Sequence, residues 1–229
     1  MFPIKDDQPR YSTPYVNWFL IALNILIFLF EVQLSPRGLK ELFDDFALIP
    51  ASVSVLSLRH DWLGTVIPFL TSMFLHEGWA HVLGNMWFLY IFGDNVEDYL
   101  GHFKYLLFYL LCGLCADVAQ IAIYPHSRIG MVGASGAIAG VLGAYFILYP
   151  RARVLTWLFV IVLYLPAWIV LGEWFLLQFY SGAEMLSVTH GRRDVGGVAV
   201  WAHVGGFLAG MVTIKLFAER ARRTPYAYR

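Results

Sequence analysis

Ser135 lies within Gly133-Ala134-Ser135-Gly136, at the head of an apolar stretch that runs to Tyr149 and is stopped by Pro150. A serine hydroxyl becomes a nucleophile when a neighbouring base takes its proton. At a helix start it also meets free backbone N–H groups and the positive end of the helix dipole. The base is His203, in Ala202-His203-Val204-Gly205-Gly206. Gly136, Gly140 and Gly143 recur at i, i+4 and i+7 on the serine segment, and Ala202, Gly206 and Gly210 form a matching stripe beside the histidine. Small residues at this spacing let membrane helices approach backbone to backbone. Alone, a membrane serine usually glues helices together and a lone histidine is usually a satisfied polar group. On two such stripes at matching depth, they form a nucleophile and its base.

His76, His81 and Asn85 make a third polar cluster. His76-Glu77 followed by His81 imitates the zinc-protease helix, which needs histidines at i and i+4. Here the spacing is five, and on one continuous helix the two rings would point about 140° apart. A shared metal is therefore rejected, and no metal or other cofactor is expected. His81 and Asn85 do stand at i and i+4, where two donors can point at a negative oxygen forming beside Ser135. Cys112 and Cys115 imitate a redox pair inside an apolar helix and are read as packing residues. Asp117 and Glu173 fall within apolar segments, where interfacial snorkelling or a structural hydrogen bond is the ordinary explanation.

Positioning these groups is a task for a membrane. Of 229 residues, 59% are hydrophobic and only 14% charged, with 16 basic and 16 acidic side chains and a mean hydropathy of +0.62. That is too apolar for a soluble domain, and it disfavours disorder, a disulfide scaffold and nucleic-acid binding. Apolar runs at 18–30, 81–92, 103–124, 135–149, 154–171 (extending towards 179) and 195–214 predict six spans and an all-α, polytopic fold. The first run follows a mixed-charge leader and has no cleavage signature, so it is read as a retained helix. The connection 34–62 is too mixed to span, and part of it should lie at the interface. The segment 135–149 gives a helix of about 22 Å, short of a hydrocarbon core of about 30 Å, which leaves Ser135 recessed below the outer surface. An even number of spans puts ten Lys and Arg on the side of the termini and six on the other. The positive-inside rule then makes both termini cytoplasmic. The expected organisation is a leader (1–14), a six-helix domain (15–218) and a basic tail (219–229), with the loop 182–194 and its glycines as a gate for lateral entry.

Taken together, these residues resemble the rhomboid intramembrane serine proteases. Gly133 to Gly136 match the family's nucleophile motif, and Ala202 to Gly206 with Gly210 match its histidine helix. His76, His81 and Asn85 match the polar residues of its second span, and Glu97 and Gly101 match its Glu-x-x-x-Gly. The resemblance covers the whole series of predicted spans. It implies Ser135 as nucleophile and His203 as base, with Asn85, His81 and the Ser135 N–H as the oxyanion hole. Gly133, Gly136 and His76 support them. The implied substrates are transmembrane segments that unwind near the outer face, with membrane lipids as the surroundings and a bacterial or archaeal plasma membrane as the location. Two positions depart from the family pattern. Ala139 stands where many relatives carry an aromatic stacked on the histidine, and Ile67-Pro68 stand where a Trp-Arg pair is common. The competing readings are a catalytically inactive rhomboid that binds membrane clients, and a proton or solute transporter built on His76, His81, Asp117 and Glu173. The transporter is weakened by the absence of an internal repeat.

Overall fold

The structure, a computed structural model, describes residues 1–189 and 199–217. In chain order the elements are β1 (Phe2–Asp6), α1 (Tyr15–Glu31), α2 (Pro36–Phe46), α3 (Pro50–Leu58), α4 (Trp62–Thr71), a 3-10 turn (Ser72–Phe74), α5 (Trp79–Leu100), α6 (His102–Ile123), α7 (Ser135–Leu148), β2 (Arg153–Leu158), β3 (Ile161–Pro166), α8 (Ala167–Thr189) and α9 (Val200–Phe217).

The helix α7 is the hub. Every residue from Ala137 to Tyr145 is buried, and α5, α6, α8 and α9 all pack against it. Outside this core, Leu83, Phe103, Leu107, Val118, Leu176 and Val212 stand exposed on α5, α6, α8 and α9. Such an apolar exterior suits lipid and not water. Two of the described helices, α6 and α9, are long and apolar enough on their own to cross a bilayer.

The tightest pairing is α7 with α9, and the glycine stripes explain it. A Cβ added to Gly206 would stand 2.1 Å from the Gly136 carbonyl oxygen, and one on Gly210 would stand 1.9 Å from that of Gly140. No side chain fits in either gap. At the opposite end from Ser135, the buried Glu97 carboxylate accepts the backbone N–H groups of Val16 (3.0 Å) and Asn17 (2.7 Å), the open donors at the start of α1. The chain then turns from α5 into α6 at Gly101, whose φ of +77° suits a residue without a side chain.

The connection 34–62 is largely helical. Ser35 caps α2, accepting from the Gly38 N–H at 3.2 Å. In α2, Leu39, Leu42, Phe43 and Phe46 share one side, and the ion pairs Arg37–Glu41 and Lys40–Asp44 run along the helix. Beyond α2, Leu48 exchanges backbone hydrogen bonds with Met131 (2.8 and 3.1 Å), tying this connection to the loop that leads to Ser135.

Two expectations need correction. The chain is mostly helical but not all-α, because residues 154–166 do not begin a span. They form a hairpin, β2 with β3, and β1 adds to β2 to give an antiparallel sheet in the order β1-β2-β3. The segment is rich in β-branched and aromatic residues, which fit a pleated strand. A short apolar run of this kind reads equally as strand or helix from periodicity. Pro166 ends β3, and the helix that follows starts only at Ala167. The second correction concerns the expected gate loop. Residues 182–189 are the last turns of α8, where Gly182 allows close approach of the Trp201 ring; a Cβ there would meet it at 2.9 Å. Residues 190–198, including Gly191, Gly196, Gly197 and the start of the expected sixth span, and the tail from 218 onward lie outside the described residues.

Candidate active site

Ser135 is the first residue of α7, and the loop before it is shaped by Gly133. That glycine has φ of +120°, donates its N–H to the Ser72 carbonyl at 2.8 Å, and leaves no room for a Cβ, which would lie 2.6 Å from His81 Nε2. Both the backbone angle and the close approach therefore require glycine. Gly136 brings α7 against α6, where an added Cβ would meet that of Ala116 at 2.7 Å.

Across the α7–α9 contact, His203 Nε2 lies 2.7 Å from Ser135 Oγ. The imidazole is buried, with 7% of its surface exposed. Gln120 of α6 accepts the Ala202 N–H at 3.1 Å and so satisfies an open donor in the first turn of α9. Two groups that sequence reasoning missed hold the far side of the ring, both on α8. The Gln178 side-chain oxygen stands 3.0 Å from His203 Nδ1, and the Trp174 ring lies 5.8 Å away, tilted by 37°. Ala139 is fully buried in the core of α7. The aromatic that the family pattern places at that position is thus supplied from another helix.

The polar cluster of α5 faces the same loop. His81 and Asn85 both approach Gly133, with Asn85 Nδ2 at 3.6 Å from the place where a Cβ would stand. Asn85 Nδ2 also donates to His76 Nε2 at 3.0 Å. One of its two amide hydrogens is thereby fixed. His76 precedes α5, so the single continuous helix behind the 140° separation does not exist, and the rings of His76 and His81 meet edge to face at 5.1 Å. Among the described residues no group of three His, Cys, Asp or Glu side chains could hold a metal ion. A further unforeseen contact lies behind His76: its backbone N–H donates to both carboxylate oxygens of Glu31 at 3.2 Å, fastening the end of α1 to the loop before α5.

A small cavity beside the serine is lined by Ser135, Gly136, Gly133, Met73, Ala202 and Asp117. Asp117 is buried, and its Oδ2 has no hydrogen-bond partner among the described residues. It faces this cavity and is not the partner of His203. Glu173 contacts the Met1 amino group at 3.4 Å, and Cys112 and Cys115 are free thiols in α6.

Sequence comparison gives the chain a family. The rhomboid domain family model matches residues 63–220, the stretch that carries every one of these side chains except Glu31. The chain is 26% identical over 219 residues to rhomboid-like protein 11, chloroplastic, of Arabidopsis thaliana, covering 94% of this chain and 70% of that protein. It is 28% identical over 226 residues to the rhomboid protease AarA of Providencia stuartii, covering 91% and 75%. Rhomboid protein 1, mitochondrial, of Saccharomyces cerevisiae is 28% identical over 159 residues, covering 68% of this chain and 43% of the relative. Relatives named for a chloroplast and a mitochondrion stand beside a bacterial one, so the expectation of a bacterial or archaeal plasma membrane gains no support from them. With the family model covering more than half of its length, and the glycine-striped helices carrying the serine and histidine inside that match, this chain is an integral membrane protein of the rhomboid family.

Proposed function

We propose that the protein is an intramembrane serine endopeptidase that cleaves transmembrane segments with a Ser135–His203 dyad. The observation that carries this reading is the 2.7 Å contact between Ser135 Oγ and His203 Nε2 across two helices that touch through glycine. His203 takes the Ser135 proton as the hydroxyl oxygen attacks a peptide carbonyl. The resulting oxyanion is held by the free amide hydrogen of Asn85, the His81 ring and the Ser135 N–H. The tetrahedral intermediate collapses with His203 protonating the leaving amine, and water then releases the acyl group from Ser135 by the reverse sequence. His76 acts through Asn85 by fixing the direction of its amide.

In this reading the six spans are α1, α5, α6, α7, α8 and α9, and α2 lies at the membrane surface with its apolar side towards lipid. At 14 residues α7 is about 21 Å long, so its serine end stays below the surface when its other end reaches the opposite interface. By the positive-inside rule both termini are cytoplasmic, which puts the three-stranded sheet, whose β1 is the N-terminal strand, on that side. The cavity beside Ser135 gives water a place at that depth.

The test is cleavage of a fluorogenic transmembrane substrate by the full chain in liposomes. The wild type should cleave, and Ser135→Ala and His203→Ala should not. Cleavage that survives Ser135→Ala would refute the proposal.

A further inference from the structure

We infer that Gln178 is the positioning residue of the dyad, a neutral third member that accepts from Nδ1–H of His203 and holds the ring for proton transfer. This rests on the dyad reading above. The role follows from the roles available to each atom. A neutral imidazole carries its proton on one ring nitrogen and a lone pair on the other. To take the Ser135 proton, His203 must have its lone pair on Nε2, and hence its proton on Nδ1. The Gln178 oxygen, 3.0 Å from Nδ1, is the acceptor for that proton. In the other tautomer Nε2–H would point at Ser135 Oγ, the Gln178 amide would have to turn to donate to Nδ1, and the base would be lost. After proton transfer the same contact becomes a charge-assisted hydrogen bond to the imidazolium, which favours the transition state over the ground state.

Among the described residues no carboxylate does this work. Glu173 is engaged with Met1, and Asp117 faces the cavity on the serine side. Among the described residues, His81 is the titratable ring whose charge is felt at His203. Trp174, one helical turn before Gln178, covers the imidazole. One face of α8 therefore supplies both the ring contact and the hydrogen bond, and position 139 is free to be alanine. That small residue is needed where α7 is buried on all sides.

The inference is tested by comparing Gln178→Leu, Gln178→Glu and Gln178→Asn with the wild type and Ser135→Ala, all as full chains in liposomes with the fluorogenic transmembrane substrate. Gln178→Leu removes the acceptor at similar volume and should lower kcat about 10- to 1000-fold, with KM within about twofold and the thermal midpoint no lower than that of the wild type. Gln178→Asn is one methylene too short to reach Nδ1 and should fall to the level of the leucine variant. Gln178→Glu keeps an acceptor and should recover most of kcat. Its negative charge stabilises the imidazolium, so the acidic limb of its kcat/KM profile should move to higher pH. A leucine variant with unchanged kcat would overturn the inference. So would equal losses in the leucine and glutamate variants with no movement of the acidic limb. Serine-independent cleavage by the wild type would instead overturn the underlying dyad.

Discussion

Truncating Asn85 to alanine leaves Ser135 and His203 in contact but takes away an amide hydrogen that the proposed mechanism uses to hold the oxyanion. The expected result is a fall in kcat of about 10- to 1000-fold with the fold intact, read from initial rates and the thermal midpoint; an unchanged kcat would remove Asn85 from the site. His76→Ala should give a smaller fall by the same readout, because Asn85 survives but its amide is no longer held at 3.0 Å. Ser135, His203, His81 and Asn85 were legible in the sequence because each is a polar group in a segment that lipid should strip of polarity. Gln178 and Trp174 were not. A neutral amide and an indole are ordinary near a membrane interface, and the expected fifth span began thirteen residues before the real helix starts at Ala167. That displacement hid the face that Trp174 and Gln178 share. Glu31, just past the first apolar run, was not legible either, since nothing local reveals that a loop 45 residues away will donate to its carboxylate.

Between helices, the glycine positions separate packing from propensity. Gly210→Ala would drive a methyl group into the Gly140 carbonyl, 1.9 Å away, where backbone must move. A loss of about 1–3 kcal/mol in stability is expected, together with lower activity as Ser135 and His203 are pushed apart. Gly84, within α5, has open space at its Cβ position. Gly84→Ala should therefore raise stability by about 0.5–1 kcal/mol through helix propensity alone. Chemical or thermal unfolding in detergent checks both, and equal effects at the two sites would contradict the packing account. The stripes themselves were readable at i, i+4 and i+7. The hairpin was not, because its alternation is masked by apolar residues on both faces, and its partner, Phe2–Asp6, comes from the far end of the chain.

Across the whole molecule, that N-terminal strand binds the sheet to the end of α7 opposite the serine. The Tyr145 hydroxyl donates to Asp6, and the Trp87 indole N–H donates to the Pro3 carbonyl at 2.8 Å. Burial raises the Asp6 carboxyl to about 6, with the Tyr145 hydrogen bond opposing the shift. An acid whose pKa is raised on folding binds more protons in the folded state, so stability should fall as pH rises from about 4 to 6. The expected drop is on the order of 2 kcal/mol, and Asp6→Asn should flatten it; thermal midpoints across that range in the two proteins decide the point. In the proposed function α7 and α9 bring Ser135 and His203 together as a reactive dyad, and active-site labelling tests this most directly. A fluorophosphonate probe, followed by mass spectrometry of the intact protein and its peptides, should find one adduct on Ser135 in the wild type and none in His203→Ala. A folded wild type that takes no label, or a His203→Ala protein labelled at the same rate, would contradict it.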